Sequence, residues 1–372
     1  MRVLVSNVAA KESGALTGLL DLFRFVVALR RKDIEWIFVV STDALGTPPE
    51  GSGIRIVRYP AAKRNWTQRI LFEVFVAPRL PGQYQADAIL SLQNTAILWT
   101  QVPQVVYMHN SVPYAPVRFS YAKRDERWLA AMGDIFRPLI GWSVRKSRAT
   151  VVQTHWLKSA IERRHGIAPG KIVVVPQTVE FRVPPGNVAR ISGHFVYPAT
   201  PLVYKRHEEI VDAVALLHDE GCSPQVVFTI DGTENAYSRA IAKRIEDRGL
   251  GGHFHLVGPI TREKLVEIYR QSVLLFVSQL ESLGLPLLEA RALGIPVIAT
   301  RQPFAEEILG RYDRATLVGQ GAAWELSAAM KPYCDPQPCA QTSGEFAGQP
   351  VASSTSGGWQ ALVDLLVKTA GK

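Results

Sequence analysis

The sequence predicts an α/β protein made of two doubly wound domains, and three observations support that fold class. Short runs rich in Val and Ile alternate with helical patterns along most of the chain, and strands that are apolar on both faces are typical of parallel sheets covered by helices. The alternation stops at the segment TVEFRVPPGN and then restarts, which indicates a linker over residues 181–192. The length of 372 residues also suits two domains.

The first predicted domain spans residues 1–180. A helix is predicted over Ala15–Leu29, because leucines and Phe23 recur along one face, and another is expected from His155. Between and around the helices lie seven strand candidates, namely Val3–Val8, Trp36–Val40, Ile54–Tyr59, Ala88–Leu92, Val105–Met108, Thr150–Val152 and Ile172–Val175.

The second predicted domain spans residues 193–334. Beyond it, residues 335–358 are rich in Ser, Gly, Thr and Gln and predict a flexible loop, and residues 359–372 contain a closing amphipathic helix at Trp359–Thr369. The six strand candidates are His194–Tyr197, Gln225–Ile230, Phe254–Val257, Val273–Val277, Pro296–Ala299 and Ala315–Val318. The helix candidates are His207–His218, Asn235–Asp247, Arg262–Gln271, Leu285–Leu293 and Ala322–Met330.

The composition excludes several classes of protein. No apolar run reaches the roughly 20 residues that span a bilayer, and the first residues do not resemble a signal peptide. Three cysteines are too few for a disulfide scaffold, which favours a cytoplasmic protein. No Asp-x-Asp triad follows a strand and no GxxxxGK[ST] loop is present, so metal-dependent sugar transfer and phosphate-loop nucleotide hydrolysis are disfavoured.

The loops that follow strands are the places to search for a site, because open parallel sheets bind ligands beyond the carboxyl ends of their strands. With two such domains, we expect the ligand in the cleft between the two sets of strand ends. The most informative loop follows Val273–Val277. There Glu281 precedes a turn at Ser282–Gly284, and Glu289 lies one turn inside the helix that follows.

A helix start of this kind is an anion site, because free N–H groups and a partial positive charge meet there. Two carboxylates beside it suit a phosphorylated, polyhydroxylated ligand. The alternative is that Glu281 only complements the helix dipole and that Glu289 is a solvated surface residue.

The stretch from Glu281 to Thr300, with SLGLPLLEA between the two glutamates and GIPVIAT after them, resembles the E-x7-E signature of family 4 glycosyltransferases. The resemblance implies the GT-B fold, in which two Rossmann-like domains face a central cleft. It also implies that Glu281 contacts donor-sugar hydroxyls and that Glu289 binds the nucleotide ribose. The amides of Ser282, Leu283, Gly284 and Leu285 would then lie on the sugar and the phosphates.

The loop YPATPLVYKRHEE after His194–Tyr197 provides the candidate cation for the leaving group. From the residues alone, Lys205 either neutralises a diphosphate or belongs to a solvated loop. The resemblance matches Lys205 to the lysine of the family's R-x4-K pair, but the arginine position is Thr200. We therefore consider Arg206 or Arg301 as the substitute.

Five further residues take a role mainly from the resemblance. Gly232 follows a strand and is assigned to donor binding, and Pro259 and Ile260 follow another strand in a turn that lies against the nucleobase in the family. His109 ends the strand Val105–Met108 where the family commonly has a histidine near the donor sugar. Gly14 matches the glycine-bearing loop over the diphosphate. As bare sequence, the glycine and proline positions are also ordinary strand-to-helix turns and His109 is also an ordinary structural histidine.

The net charge of +9 is unevenly distributed, because residues 1–200 carry a net charge of +13 and residues 201–372 carry −4. Two segments, 63–79 and 118–148, combine basic residues with tryptophans and predict contact with an anionic membrane surface. The alternative is a solvated face over normal core aromatics. No nucleic-acid recognition motif accompanies the charge, so a nucleic-acid partner is not expected.

The sequence as a whole predicts a metal-independent retaining glycosyltransferase without a cofactor. The expected donor is a nucleotide sugar, and the expected acceptor is a glycan or lipid-linked molecule of cell-surface polysaccharide, lipopolysaccharide or glycolipid assembly. The expected location is the cytoplasm, including the inner face of the cytoplasmic membrane. The alternatives are a nucleotide-sugar epimerase of GT-B shape and a non-catalytic subunit that binds sugar nucleotides or membranes.

Overall fold

The structure of the chain is a computed structural model that describes residues 1–10, 13–176, 191–334 and 355–371. It divides into two compact units. The first consists of Met1–Tyr114, Met132–Gln177 and Ser353–Lys372, and the second of Ala115–Ala131 and Thr178–Ala352. Both units are parallel α/β structures, so the predicted fold class is confirmed.

The first unit contains a seven-stranded parallel sheet with the order β3-β2-β1-β4-β5-β6-β7. Its strands are β1 (Arg2–Asn7), β2 (Glu35–Val40), β3 (Ile54–Arg58), β4 (Ala88–Ser91), β5 (Gln104–Met108), β6 (Ala149–Val152) and β7 (Ile172–Val174). Its longer helices are Ser13–Leu29, Arg137–Lys146, His155–His165 and Thr355–Ala370, and the shorter ones include Trp66–Leu71 and Leu80–Gln83.

The core of the first unit forms because the central strands are apolar on both faces. Val3, Val5 and Phe38 are fully buried, and they share one hydrophobic cluster with Leu362 and Leu366 of the C-terminal helix. That helix begins at Thr355, four residues before the predicted start at Trp359. The end of the chain therefore completes the core of the unit that contains its beginning.

The second unit contains a six-stranded parallel sheet with the order β10-β9-β8-β11-β12-β13. Its strands are β8 (His194–Tyr197), β9 (Gln225–Phe228), β10 (Phe254–Leu256), β11 (Val273–Phe276), β12 (Val297–Thr300) and β13 (Ala315–Val318). Its helices are Arg127–Ala131, His207–Asp219, Ala236–Asp247, Arg262–Gln271, Leu285–Ala292, Pro303–Leu309 and Ala323–Met330.

Strand order places a topological switch point between β8 and β11. From β8 the chain moves outward to β9 and β10, and then returns to pair β11 with the other side of β8. Loops that leave neighbouring strands in opposite directions open a crevice at their carboxyl ends, and ligands of such sheets bind there. The loops after β8 and β11 are those that contain Lys205 and Glu281.

The structure divides the chain differently from the prediction in two places. The C-terminal helix, predicted as a separate closing element, belongs to the first unit. Residues 1–180 were expected to form a single domain, but Ala115–Ala131 belongs to the second unit. There the Phe119 ring lies 6.3 Å from the Tyr204 ring in an edge-on arrangement. The predicted linker at 181–192 lies outside the described residues except for its last two, and the predicted loop at 335–358 does so up to residue 354.

The described helices include none that is both long enough and apolar enough to cross a lipid bilayer.

Candidate active site

An ion pair between Lys205 and Glu281 forms the centre of the candidate site. Lys205 Nζ donates to Glu281 Oε1, although the two residues are 76 positions apart in the sequence. The side chains are only 12% and 17% exposed, so the pair lies in a sheltered environment rather than on an open surface. The switch point between β8 and β11 brings together the two residues that the sequence assigned to the leaving group and the donor sugar.

Backbone contacts fix the loop that presents Lys205. The Tyr197 hydroxyl donates to the Lys205 carbonyl at 2.6 Å, and the Gln279 N–H of the β11 loop donates to the Tyr204 carbonyl at 2.9 Å. Burial, together with the negative charge of Glu281, raises the pKa of the Tyr204 phenol, so that Tyr204 stays neutral beside the ion pair. Its ring centroid lies 5.4 Å from Lys205 Nζ.

The helix Leu285–Ala292 begins directly after Gly284, which has φ 74° and ψ 59°. This left-handed backbone is one that glycine adopts at little cost. A Cβ at Gly284 would also lie 3.3 Å from Leu287 Cδ1, because the buried Leu287 packs under the turn. The backbone of this turn therefore requires glycine, and the helix begins four residues after Glu281 without a side-chain hydrogen bond from its N-cap residue.

Glu289 is not a solvated surface residue, since its exposed fraction is 8%. The Tyr269 hydroxyl donates to Glu289 Oε2 at 3.0 Å, and Arg262 Nη2 lies 3.4 Å from Oε1. Burial raises the pKa of the Glu289 carboxyl, and the charge of Arg262 opposes that rise. The arrangement holds a carboxylate in one orientation inside the first turns of the helix.

Arg206 is held by carboxylates of its own helix. Its Nε lies 2.6 Å from Glu209 Oε1, and its Nη1 lies 3.3 Å from Glu208 Oε1. Arg301, the other candidate substitute for the arginine missing at Thr200, lies 3.1 Å from Glu306. Both guanidinium groups are therefore engaged with carboxylates, and a donor-binding role for Arg206 stays a prediction.

The turns after β9 and β10 lie next to one another, because the two strands are paired. Gly232 has φ 85° and Gly258 has φ 68°, and the Gly258 N–H donates to the Ile230 carbonyl at 3.2 Å. Glu234 accepts hydrogen bonds from the backbone N–H groups of Asp231, at 2.7 Å, and Gly232, at 3.1 Å. Pro259 is exposed and Ile260 is half-buried, so this predicted nucleobase-side turn is accessible to a ligand.

His109 belongs to the first unit and follows β5. Asn94, at φ 66°, accepts hydrogen bonds from the N–H groups of His109 and Asn110 at 2.8 and 2.9 Å. Burial lowers the pKa of His109 to about 4, so the imidazole is neutral at neutral pH. Gly14 lies in the first turn of the helix Ser13–Leu29. The roles of both residues toward a donor stay predictions.

Sequence reasoning missed the residues that support the predicted ones. Tyr197, Tyr204, Tyr269 and Arg262 each touch or orient a predicted site residue, but none lies within the E-x7-E stretch. Of these four residues, Arg262 was the easiest to identify from the sequence, because it begins a helix just after the turn at Pro259 and Ile260. Tyr197 of β8 and Tyr269 of the helix Arg262–Gln271 follow the apolar pattern of core aromatics, and that pattern does not indicate what their hydroxyls contact.

Comparisons with known proteins give the family. The model of the group 1 glycosyl transferases matches residues 195–339, and that of glycosyltransferase family 4 matches residues 22–182. Together the two matches cover most of the chain. No curated protein sequence matches the chain significantly.

Solved structures with the same fold cover nearly the whole chain. Anabaena HepE in complex with UDP and glucose has a TM-score of 0.67 and is 16% identical, over 100% of this chain and 97% of that chain. Sucrose-phosphate synthase from Thermosynechococcus elongatus has a TM-score of 0.65 and is 17% identical, over 99% and 96%. WaaG, a glycosyltransferase involved in lipopolysaccharide biosynthesis, has a TM-score of 0.64 and is 12% identical, over 100% and 98%. With two family models matched in succession and a fold shared along its length, the chain belongs to the GT-B glycosyltransferases of the family 4 type.

Proposed function

We propose that the protein is a retaining glycosyltransferase that moves a sugar from a nucleotide-sugar donor to a glycan or lipid-linked acceptor during cell-surface polysaccharide or glycolipid assembly. The observation that carries this proposal is the sheltered Lys205–Glu281 ion pair at the switch point of the second sheet, beside the helix start at Gly284. The fold shared with HepE, which was crystallised with UDP and glucose, supports a nucleotide-sugar donor.

Each group of the site has a separate task in this proposal. The Glu281 carboxylate accepts hydrogen bonds from donor-sugar hydroxyls, and the Lys205 ammonium balances the charge that develops on the leaving diphosphate. The N–H groups of Ser282–Leu285, with the partial positive charge of the helix start, bind the phosphates. Glu289 accepts hydrogen bonds from the ribose, in the orientation that Tyr269 sets.

The chemical step exchanges one bond at the anomeric carbon for another on the same face. The bond to the diphosphate oxygen breaks and its electron pair leaves with the diphosphate, while the acceptor hydroxyl oxygen bonds to the anomeric carbon. The acceptor proton passes to the leaving phosphate oxygen. The scheme assigns the charge balance to Lys205 and the helix start, and it includes no metal ion and no cofactor.

The proposal is tested first with the donor and then with variants. Thermal unfolding with UDP-, GDP-, ADP- and dTDP-sugars identifies the donor, because a ligand that binds only the native state raises its stability. Turnover of that donor should then fall by at least about 100-fold in Lys205→Met and Glu281→Gln. The matched controls are Lys264→Met and Glu267→Gln, an exposed ion pair of the same unit at 2.9 Å. Wild-type turnover in Lys205→Met and Glu281→Gln would overturn the site assignment.

A non-catalytic sugar-nucleotide-binding subunit is the second candidate. One observation favours it: Thr200 stands where the family pair has arginine, and both substitute arginines already contact carboxylates. Such a subunit would bind a nucleotide sugar and show a thermal shift without releasing nucleotide diphosphate. Donor hydrolysis or transfer that Lys205→Met abolishes would exclude this candidate.

A further inference from the structure

Large apolar side chains are exposed together on one part of the first unit, in the segments 63–79 and 132–148. Their exposed fractions range from 36% for Leu139 to 65% for Ile135. Single exposed apolar residues are ordinary, whereas a group of them on one surface marks an interaction site. The exposed residues, which we call the Trp66–Trp142 face, are Trp66, Ile70, Leu71, Phe75, Ile135, Leu139 and Trp142.

The two segments form one face because they contact each other. The Trp66 ring lies 5.7 Å from the Phe136 ring, and Ile70 follows Trp66 by one helical turn. On the other segment, Ile135, Leu139 and Trp142 are spaced by four and three residues, which places them along one side of a continuous helical stretch. The two helical segments therefore meet at Trp66 and Phe136, and each has large apolar side chains exposed to solvent.

The face carries an excess of positive charge. The two segments contain eight basic residues and two acidic ones. Both acidic residues are paired within the face, Glu73 with Arg69 at 2.7 Å and Asp134 with Arg137 at 3.9 Å. Arg64, Arg79 and Lys146 are exposed residues of the same two segments, and they leave the face with a net positive charge.

We propose that the Trp66–Trp142 face binds an anionic lipid bilayer and lies in its headgroup region. Tryptophan and the aliphatic side chains enter the boundary between headgroups and acyl chains, while Lys and Arg remain at the level of the phosphates. The combination favours a bilayer over a protein partner. An anionic membrane offers both an apolar boundary that takes up the tryptophan and aliphatic side chains and a layer of phosphates that pairs with Lys and Arg. Docking of a second protein or a second copy of this chain is an outcome that the test detects.

The face includes only part of the segment 118–148 that the sequence predicted. The prediction extended from residue 118, but Ala115–Ala131 belongs to the second unit, so Trp128 is not part of it. The face belongs to the first unit and Lys205 and Glu281 to the second. The inference therefore goes beyond the proposed function, and the two can fail separately.

Co-sedimentation with vesicles at low salt tests the proposal. We expect the full chain to bind vesicles of phosphatidylcholine with phosphatidylglycerol, and to bind pure phosphatidylcholine vesicles at least about tenfold more weakly. Arg64→Gln/Lys146→Gln should lower the partition coefficient on the anionic vesicles by about 30-fold, which corresponds to about 1 kcal/mol for each charge. Ile70→Asn/Ile135→Asn should also lower it, whereas high salt should weaken binding of the wild type.

Matched controls separate this face from general effects of charge and hydrophobicity. Lys243→Gln/Lys264→Gln removes two charges from exposed ion pairs of the second unit, and Trp324→Ser removes a side chain there that is 67% exposed. Both should bind vesicles like the wild type, and all variants should keep their thermal shift with the nucleotide sugar. Equal binding to neutral and anionic vesicles, wild-type binding by the face variants, or self-association in ultracentrifugation that Ile70→Asn/Ile135→Asn abolishes would overturn the proposal.

Discussion

Arg262 Nη2 lies 3.4 Å from Glu289 Oε1, and it is the cation that opposes the effect of burial on this carboxyl. Burial raises the pKa of Glu289 and Arg262 lowers it. In the proposed function Glu289 accepts hydrogen bonds from the donor ribose, and only the ionised carboxyl offers both of its oxygens as acceptors. Arg262 is therefore expected to set the lowest pH at which the donor binds well.

Arg262→Met should shift the acid limit of donor binding to higher pH. Without the guanidinium, burial acts unopposed, the pKa of Glu289 rises further, and the protonated carboxyl loses acceptor capacity at a pH where the wild type is still ionised. The measurement is the nucleotide-sugar thermal shift between about pH 5 and pH 8. Lys264→Met, an exposed charge on the same helix, should leave the profile unchanged. The same profile in Arg262→Met and the wild type would contradict the role of Arg262.

Gly284→Ala should destabilise the second unit by about 1–2 kcal/mol. Alanine must adopt φ 74° there, and its Cβ would lie 3.3 Å from Leu287 Cδ1. Gly294→Ala is the matched control, because Gly294 has φ 65° but a Cβ added there would meet no atom within 4 Å. Chemical unfolding monitored by circular dichroism measures both. A loss in Gly284→Ala no greater than in Gly294→Ala would show that the contact with Leu287 costs nothing.

The order of strands and helices was predictable because it rests on local patterns. All thirteen predicted strands are present, with small shifts at their ends; β9, for example, ends at Phe228 rather than Ile230. Runs that are apolar on both faces require burial wherever they lie, so their existence does not depend on tertiary detail. The helix Pro303–Leu309 was missed because its seven residues give too short a periodic pattern.

Tertiary position was the part that local patterns did not contain. Nothing in Phe119 indicates that its segment packs beside Tyr204 in the second unit, and nothing in Leu366 indicates which sheet it covers. The Lys205–Glu281 contact was anticipated only as two roles at strand ends. Its formation depends on the pairing of β8 with β11, a long-range register that alternation alone does not specify.

Acid should destabilise the protein between about pH 6.5 and pH 3. Burial lowers the pKa of His109 to about 4, and burial with the charge of Lys205 lowers that of His207 to about 3. Below pH 6.5 the unfolded chain takes up protons at these residues while the folded chain does not, so the free energy of unfolding falls as the pH falls.

His207→Phe should remove part of this acid sensitivity. The His207 ring is buried beside the rings of Tyr197 and Phe228, at 4.9 and 5.1 Å, so an apolar ring occupies the same site. Denaturant unfolding at pH 7 and pH 5 measures the difference in free energy, with His255→Phe, an exposed histidine, as the control. An equal loss between the two pH values in His207→Phe and the wild type would exclude His207 as a source of the acid sensitivity.

Leu366→Ala should destabilise the first unit by about 2–4 kcal/mol. Leu366 is fully buried in the cluster that contains Val3, Val5 and Phe38, so the shorter side chain loses apolar burial and leaves a cavity. Val367→Ala is the control, since Val367 is 36% exposed on the same helix. Chemical unfolding monitored by circular dichroism measures both variants. A similar, small loss in both variants would mean that Leu366 contributes little to the stability of the core.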